Sequence, residues 1–295
     1  MRRFLPQALP VCTLLASAWI AGCSAPDLVN LLTPATSYSL VEAEPYGPHP
    51  RHKLDVHVPR GADSPRAVVV FFYGGSWRRG DRLDYRFLGH ALAARGHVVV
   101  IPDYRLYPEV RFPSFVEDGA AALRWVHDHI EIYSGDPDRV HLMGHSAGAH
   151  IAALLALDER YLAAVDLEPA WLAGMIGLAG PYDFLPLEET RLIDTFGPEI
   201  LHYESQPVNY AHPESPPFLL IHGKQDERVP PQNTMALARA IQAAGGHAET
   251  LFYRNHGHHR ILAATSNLLR FLGSTLHDVH QFIRDQNQTG SGESE

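Results

Sequence analysis

A serine placed between glycines is the first feature of this sequence that could do chemistry. Ser146 is the centre of the pentapeptide Gly-His-Ser-Ala-Gly at residues 144–148. The apolar residues 139–143 before it predict a buried strand, and the Ala- and Leu-rich residues 147–157 after it predict a helix. A sharp strand-to-helix turn, which requires small flanking residues, exposes the serine hydroxyl above a sheet. The pattern therefore predicts that Ser146 is a nucleophile.

A carboxylate that could support this nucleophile follows a later apolar segment. Residues 217–222 predict a buried strand that ends at a glycine, and Asp226 lies in the loop after it. A serine hydroxyl at its free pKa needs a histidine base, and a carboxylate commonly orients that histidine. Because ligands bind at the carboxyl ends of the strands in such sheets, Asp226 is predicted to be the acid. Its neighbour Glu227 is the nearest alternative.

The base is expected in the loop after the last predicted strand, at residues 249–253. That loop contains His256, His258 and His259. We predict that His258 is the base, because Gly257 before it frees the backbone to aim that side chain. The residue pattern leaves His256 and His259 open as alternatives. The three histidines could instead bind zinc, but no His-Glu-x-x-His pattern or cysteine supports a metal site, so no metal or other cofactor is expected.

Amide groups that could stabilise a developing oxyanion are predicted at two places. One is the N–H of Ala147, directly after the nucleophile, and the others lie in the loop that follows a buried strand at residues 68–73. In that loop the paired glycines Gly74 and Gly75 allow the backbone to approach a ligand closely. Trp77 nearby is a candidate substrate-binding residue, with simple packing beneath the loop as the alternative.

The elements that must position these residues alternate along the chain. Strands alternating with helices predict a doubly wound, mostly parallel α/β sheet in one domain at residues 38–285. Residues 181–216 are loop-rich and could cap the site, and residues 286–295 are polar and predicted to be disordered. Besides the segments already given, strands are predicted at 52–58, 98–101 and 174–178, and helices at 85–95, 115–132, 231–244 and 260–272; the strand before Asp226 has its apolar core at 218–221.

Composition excludes several kinds of partner. The chain has 295 residues, 45% of them hydrophobic, and a formal net charge of −9. It offers no basic surface for nucleic acid, and its length is sufficient for a well-buried core. The two cysteines, Cys12 and Cys23, both precede the predicted domain, so disulfides and thiolate metal sites are not expected within it.

The N-terminus has the pattern of an export signal. Arg2 and Arg3 precede a short apolar core at residues 11–20, which is too short to span a bilayer comfortably. The sequence Ile-Ala-Gly-Cys at residues 20–23 is similar to the lipobox of bacterial lipoproteins. That resemblance implies a signal peptide at residues 1–22, lipidation of Cys23 with acyl chains such as palmitate, and a membrane-anchored protein of the bacterial cell envelope. Residues 23–37 would then be a tether between lipid and domain.

The motifs together resemble a known superfamily. Residues 73–77 (Tyr-Gly-Gly-Ser-Trp), 102–106 (Pro-Asp-Tyr-Arg-Leu) and 144–150 (Gly-His-Ser-Ala-Gly-Ala-His) look like those of α/β-hydrolases, and most like bacterial carboxylesterases related to feruloyl esterases and arylformamidases. Tyr73 stands where that family usually has a histidine. The resemblance implies the catalytic residues Ser146, Asp226 and His258, the amide donors Gly74, Gly75 and Ala147, and a buried polar network that includes Asp103, Arg105 and Asp118.

We therefore expect a lipid-anchored serine hydrolase of small carboxylic esters. An amidase, arylformamidase or peptidase could use the same three side chains, because they do not select oxygen over nitrogen as the leaving atom. A non-catalytic envelope binding protein on the same fold is the alternative from another class.

Overall fold

The structure is a computed structural model that describes residue 30, residues 38–61 and residues 64–289. The predicted signal peptide at residues 1–22 and the predicted lipidation site Cys23 lie outside the described residues. In the described part of the chain, no helix is long and apolar enough to cross a membrane.

Eight strands form one sheet, in the order β1-β2-β4-β3-β5-β6-β7-β8. The pairs β1–β2 and β2–β4 are antiparallel, and the other five pairs are parallel. The predicted mostly parallel sheet is confirmed. The strands are β1 Tyr38–Pro45, β2 Lys53–Pro59, β3 Arg66–Phe72, β4 Val98–Pro102, β5 Gly135–His145, β6 Leu172–Leu178, β7 Phe218–Gly223 and β8 Ala248–Tyr253.

The central strands are buried on both faces of the sheet. In β3, Val68 to Phe72 have no exposed surface, although successive side chains point to opposite faces. Both faces must therefore be covered by other elements. The helices are α1 Arg86–Ala93, α2 Ser114–His129, α3 Ala147–Leu157, α4 Glu159–Ala163, α5 Thr190–Phe196, α6 Gln232–Ala243, α7 His258–Ala263 and α8 Thr275–Thr289.

The helix predicted at residues 260–272 is wrong in its extent. Helix α7 ends at Ala263, and a separate 3-10 turn covers Arg270–Leu272. Between them the hydroxyl of Thr265 donates to the carbonyl of Leu262, and the Ser266 hydroxyl accepts from the N–H of Leu268. Such local side-chain bonds compete with the helical ones, so the helix stops.

Both ends of the domain also differ from the sequence-based expectations. Strand β1 was not predicted, and neither was α8, which continues to Thr289 through the first residues of the tail that was expected to be disordered. Within the predicted tether, Asn30 contacts the domain: its amide donates to the carbonyl of Leu83 and its oxygen accepts from the N–H of Phe87. The remaining residues of the tether and of the tail lie outside the described residues.

Residues 181–216, the predicted cap, connect β6 to β7. They contain α5 and two 3-10 turns, Glu199–Leu201 and Pro207–Tyr210. Several of their side chains are exposed and apolar, notably Ile200 and Tyr203. The segment begins where β6 ends, at the carboxyl edge of the sheet, and it therefore lies beside the loops that carry the candidate site residues.

Candidate active site

Ser146 occupies a strained turn between β5 and α3. Its backbone angles are φ 54° and ψ −123°, outside the regions that L-residues commonly adopt. Its N–H donates to the carbonyl of Leu178 on β6, which fixes the turn to the sheet. A Cβ atom on Gly148 would lie 2.0 Å from the carbonyl oxygen of Phe72, so only glycine allows α3 to pack this closely. The turn holds the Ser146 side chain at the carboxyl edge of the sheet.

Three side chains that are distant in sequence meet at this edge. The Ser146 hydroxyl lies 2.9 Å from Nε2 of His258, and Nδ1 of His258 lies 2.7 Å from Oδ2 of Asp226. All three residues are buried. Because the carboxylate can only accept, Nδ1 carries a proton and neutral His258 presents a lone pair on Nε2 to the hydroxyl. We call this arrangement the Ser-His-Asp relay.

The carboxylate of Asp226 is held by more than one donor. Its Oδ1 accepts from the N–H groups of Arg228 and Val229, each at 2.9 Å, and its Oδ2 lies 3.3 Å from Nε2 of His222. Burial alone would raise the pKa of this carboxyl. Hydrogen bonds from His222 and His258 outweigh burial and hold the pKa of Asp226 well below its ordinary value. Asp226 is therefore ionised and fixed in orientation.

Two further histidines support the relay, and the sequence analysis did not assign them a role. His222 is fully buried at the end of β7, where Nε2 donates to the carbonyl of Val229 at 3.0 Å and Nδ1 accepts from the hydroxyl of Thr234 at 2.8 Å. His145 donates from Nε2 to the backbone carbonyl of His258 at 3.1 Å. Burial and the nearby His258 lower the pKa of His145 to about 3, so it remains neutral. The only signal in the sequence was that each of these two histidines stands at the end of a buried strand, β5 or β7.

The structure separates the residues that the sequence left as alternatives. His256 packs against Tyr253 with ring centroids 5.0 Å apart, and a Cβ on Gly273 would lie 2.4 Å from its Nε2. His259 is exposed and contacts the ring of His258 edge-on, at 5.3 Å. Neither is hydrogen-bonded to Ser146. Glu227, the alternative acid, is exposed. Within the described residues, no group of three or more His, Cys, Asp or Glu side chains could hold a metal ion.

The predicted oxyanion loop lies beside the nucleophile. A Cβ on Gly74 would lie 3.0 Å from the Ser146 Cβ, which shows how closely this backbone approaches the serine. Gly75 has φ 134°, a conformation that favours glycine, and Ser76 and Trp77 also have positive φ. Ala147 is the first residue of α3, so its N–H has no acceptor within the helix. The backbone of Gly74 and that of Ala147, one from each predicted place, therefore both lie next to Ser146.

Tyr73 stands at the position where the carboxylesterases that the sequence resembles usually have a histidine. It connects the oxyanion loop to a buried network. Its hydroxyl donates to Oδ1 of Asp103 at 2.7 Å and accepts from Arg51 at 2.7 Å. Arg51 also donates to the carbonyl of Gly80, at the far end of the loop. Tyr104 donates to the backbone carbonyl of Tyr73. The tyrosine hydroxyl thus connects the start and the end of the oxyanion loop.

The other members of the predicted network, Asp103, Arg105 and Asp118, take part in ion pairs. Asp103 accepts from Arg82 at 2.6 Å, and burial raises the pKa of its carboxyl. Asp118 accepts from Arg105 at 2.6 Å and also lies 3.1 Å from His52. These side chains brace the segments on which the oxyanion loop rests, and they do not reach the relay.

A small pocket opens beside Ser146. Its cavity volume is about 110 Å³. Trp77 borders it but is only 3% exposed, and its ring packs against Phe196 with centroids 4.8 Å apart and against His150 at 5.1 Å. These packing contacts hold the Trp77 ring in place as one wall of the pocket. The other residues that line the pocket are Ser76, Ala147, Pro181, Phe184, Glu189, Arg191, Leu192, Arg228, Val229, Pro230 and Asn233.

Known proteins resemble this chain in sequence. The model of the BD-FAE family matches residues 54–241. A probable isoprenylcysteine alpha-carbonyl methylesterase, ICMEL1 of Arabidopsis thaliana, is 30% identical over 72% of this chain and 49% of its own length. Esterase LipQ of Mycobacterium tuberculosis is 32% identical over 75% of this chain and 57% of its own length. The chain thus spans about half the length of the curated relatives that it matches.

Solved structures share the fold. Esterase B from Lactobacillus rhamnosis, inhibited by a tributyrin phosphonate, superposes with a TM-score of 0.75 at 20% identity, over 95% of this chain and 98% of its own. A truncated carbohydrate esterase from gut microbiota gives a TM-score of 0.73 at 20% identity, over 86% of this chain and 99% of its own. At this level of identity the likeness concerns the fold alone.

Proposed function

Since this chain belongs to the BD-FAE family and has the α/β-hydrolase fold, we propose that it is a serine hydrolase of small carboxylic esters. The observation that carries the proposal is the hydrogen-bonded relay from the Ser146 hydroxyl through His258 to Asp226. The curated relatives named as esterases support the choice of ester as the substrate.

The relay geometry supplies the proton transfers that ester cleavage needs. As the Ser146 oxygen bonds to the acyl carbon, Nε2 of His258 takes the hydroxyl proton, and Asp226 stabilises the resulting imidazolium. Collapse of the tetrahedral adduct breaks the bond to the alcohol oxygen, which receives that proton. Water, deprotonated by His258, then attacks the acyl-enzyme and releases the carboxylic acid and the free serine. The cycle consumes one ester and one water and releases one alcohol and one carboxylic acid, so it needs no cofactor.

Charge on the substrate oxygen would be stabilised by backbone amides. The proposed donors are the N–H of Ala147, which directly follows Ser146, and those of the Gly74–Gly75 loop, whose backbone at Gly74 closely approaches the serine. One well-placed donor of this kind contributes about 3–4 kcal/mol to the transition state. The pocket of about 110 Å³ favours a short acyl group.

Parallel assays of the purified protein test this function. We expect hydrolysis of p-nitrophenyl acetate with a higher kcat/KM than that of an N-formyl aryl amide, because the proposal assigns the site to esters. A fluorophosphonate probe should label the folded protein at Ser146. A higher kcat/KM on the amide would favour an amidase, and a folded protein that the probe does not label would favour a non-catalytic binding protein.

The lipid anchor is a separate proposal, supported by residues 2–23 of the sequence alone. We propose that Cys23 carries the lipid and holds the protein at the cell envelope, in the outer membrane or at the periplasmic face. Metabolic labelling with a palmitate analogue in a bacterial host should mark the wild-type protein, and Cys23→Ala should abolish the label. Equal labelling of the two would contradict the anchor.

A further inference from the structure

Two arginines line the pocket beside Ser146, and they differ in their partners. Arg191 forms an ion pair with Glu189, which also lines the pocket, so its charge is neutralised there. Arg228 is exposed, and within the described residues its guanidinium has neither an ion pair nor a side-chain hydrogen bond. An unpaired guanidinium next to a nucleophile is available to a ligand.

The backbone of Arg228 is fixed relative to the relay. Its N–H donates to Oδ1 of Asp226 at 2.9 Å, and the next residue, Val229, donates to the same oxygen. The position of Arg228 is therefore set by the same loop that supplies the acid. Its side chain lines the pocket beside Ser146, and its backbone, two residues from Asp226, is held by these hydrogen bonds.

The rim around this side chain is positive. Burial lowers the pKa of His259, and the neighbouring His258 and the guanidinium charges of Arg228 and Arg79 lower it further. Arg228 and Arg79 therefore lie near the same exposed histidine, His259, at the edge of the site. Of the carboxylates near the site, Asp226 is engaged by the relay and Glu189 by Arg191, and exposed Glu227 forms no ion pair with Arg228 among the described residues. This local excess contrasts with the formal net charge of −9 for the whole chain.

We propose that Arg228 binds a carboxylate carried by the ester substrate, so that the preferred substrates are anionic esters. This inference rests on the proposed ester hydrolysis and adds the substrate class. A guanidinium presents a planar fork of N–H donors that matches the two oxygens of a carboxylate. Binding there would hold the scissile carbonyl over Ser146, whereas a neutral ester would use the small pocket alone.

Two matched substrate pairs test the inference, because the carboxylate could belong to either side of the ester. The first pair is the mono-p-nitrophenyl ester of adipic acid and p-nitrophenyl hexanoate, which differ in charge on the acyl side. The second pair is 4-acetoxybenzoate and its methyl ester, which differ in charge on the alcohol side. Each substrate is assayed with wild type, Arg228→Gln and Arg284→Gln.

Arg284 provides the matched control because it is an exposed arginine of α8, two residues after Phe282, which packs near Gly174 in the first half of β6. This is the opposite end of the sheet from Ser146. Arg284→Gln removes the same charge from the protein and should leave all four rates unchanged.

In at least one pair, we expect Arg228→Gln to lower kcat/KM for the anionic ester about tenfold, which is the loss expected when one partly exposed, charged hydrogen-bonded pair is removed. The kcat/KM for the neutral ester should change less than about twofold. Added salt should reduce the anionic preference of wild type and not that of the variant. Equal changes for both members of both pairs would overturn the role of Arg228. If wild type hydrolysed none of the four esters, the proposed function itself would be overturned.

Discussion

Ser146→Ala is expected to lower kcat for ester hydrolysis by roughly 10⁴-fold or more, the loss typical of a removed serine nucleophile. The variant has no oxygen to form the acyl-enzyme, and only the backbone amides and the pocket remain. Alanine is smaller than serine and adds no atom to the turn, so the protein should keep its fold. The measurement is burst and steady-state kinetics with p-nitrophenyl acetate, with the melting temperature as the check on folding.

The histidine loop offers a matched pair of variants for the same prediction. His258→Ala removes the base, whose Nε2 lies 2.9 Å from the Ser146 hydroxyl. It should lower kcat about as much as Ser146→Ala does, because the effects of mutating residues that act as a unit do not add up. His259→Ala removes the adjacent exposed imidazole, which has no hydrogen bond to Ser146, and should retain nearly wild-type kcat. A large loss in His259→Ala with activity retained in His258→Ala would refute the relay.

Stability is expected to fall steeply as the pH drops from 7 towards 5. The reason is a set of buried histidines that cannot accept a proton in the folded protein, because burial lowers the pKa of each of them to about 3 or 4. These residues are His57, His97, His141, His145 and His150. In the unfolded chain the same groups bind protons near pH 6.5.

The sign and size of the effect follow from linkage. Below pH 6.5 the unfolded state binds protons that the folded state refuses, so the free energy of unfolding decreases as the pH falls towards 4. By pH 5 each histidine contributes a loss of about 2 kcal/mol, and five together approach the 5–15 kcal/mol that typically stabilises a domain. The raised pKa of Asp103 acts in the opposite direction, but it is a single group. Acid unfolding should therefore begin near pH 5.

Urea unfolding between pH 8 and pH 5 measures this dependence. The slope of unfolding free energy against pH gives the number of protons taken up. His57 is a useful test, because it is fully buried and neither ring nitrogen has a hydrogen-bond partner. His57→Leu should reduce the proton uptake by about one. A wild-type stability that does not change between pH 7 and pH 5 would show that these histidines titrate in the folded state.

What the sequence predicted about this protein came from interactions between residues that are close along the chain. The apolar residues before Ser146 and the small residues after it define a strand, a turn and a helix, and short apolar runs located seven of the eight strands. Strand β1 was missed because only Tyr38 is buried in it and its other side chains are partly or wholly exposed. A weakly apolar edge strand carries little periodic signal.

The tertiary structure alone decided which side chains meet. Ser146 and His258 are 112 positions apart, and the only local signal for His258 was the glycine before it, which left His256 and His259 open as alternatives. The choice depends on where α7 begins and on the donation from His145 to the His258 carbonyl. The sequence therefore determined the elements and the residue types at their ends, because these depend on neighbours. The pairing of those residues depends on how the strands align in the sheet, which only long-range packing fixes.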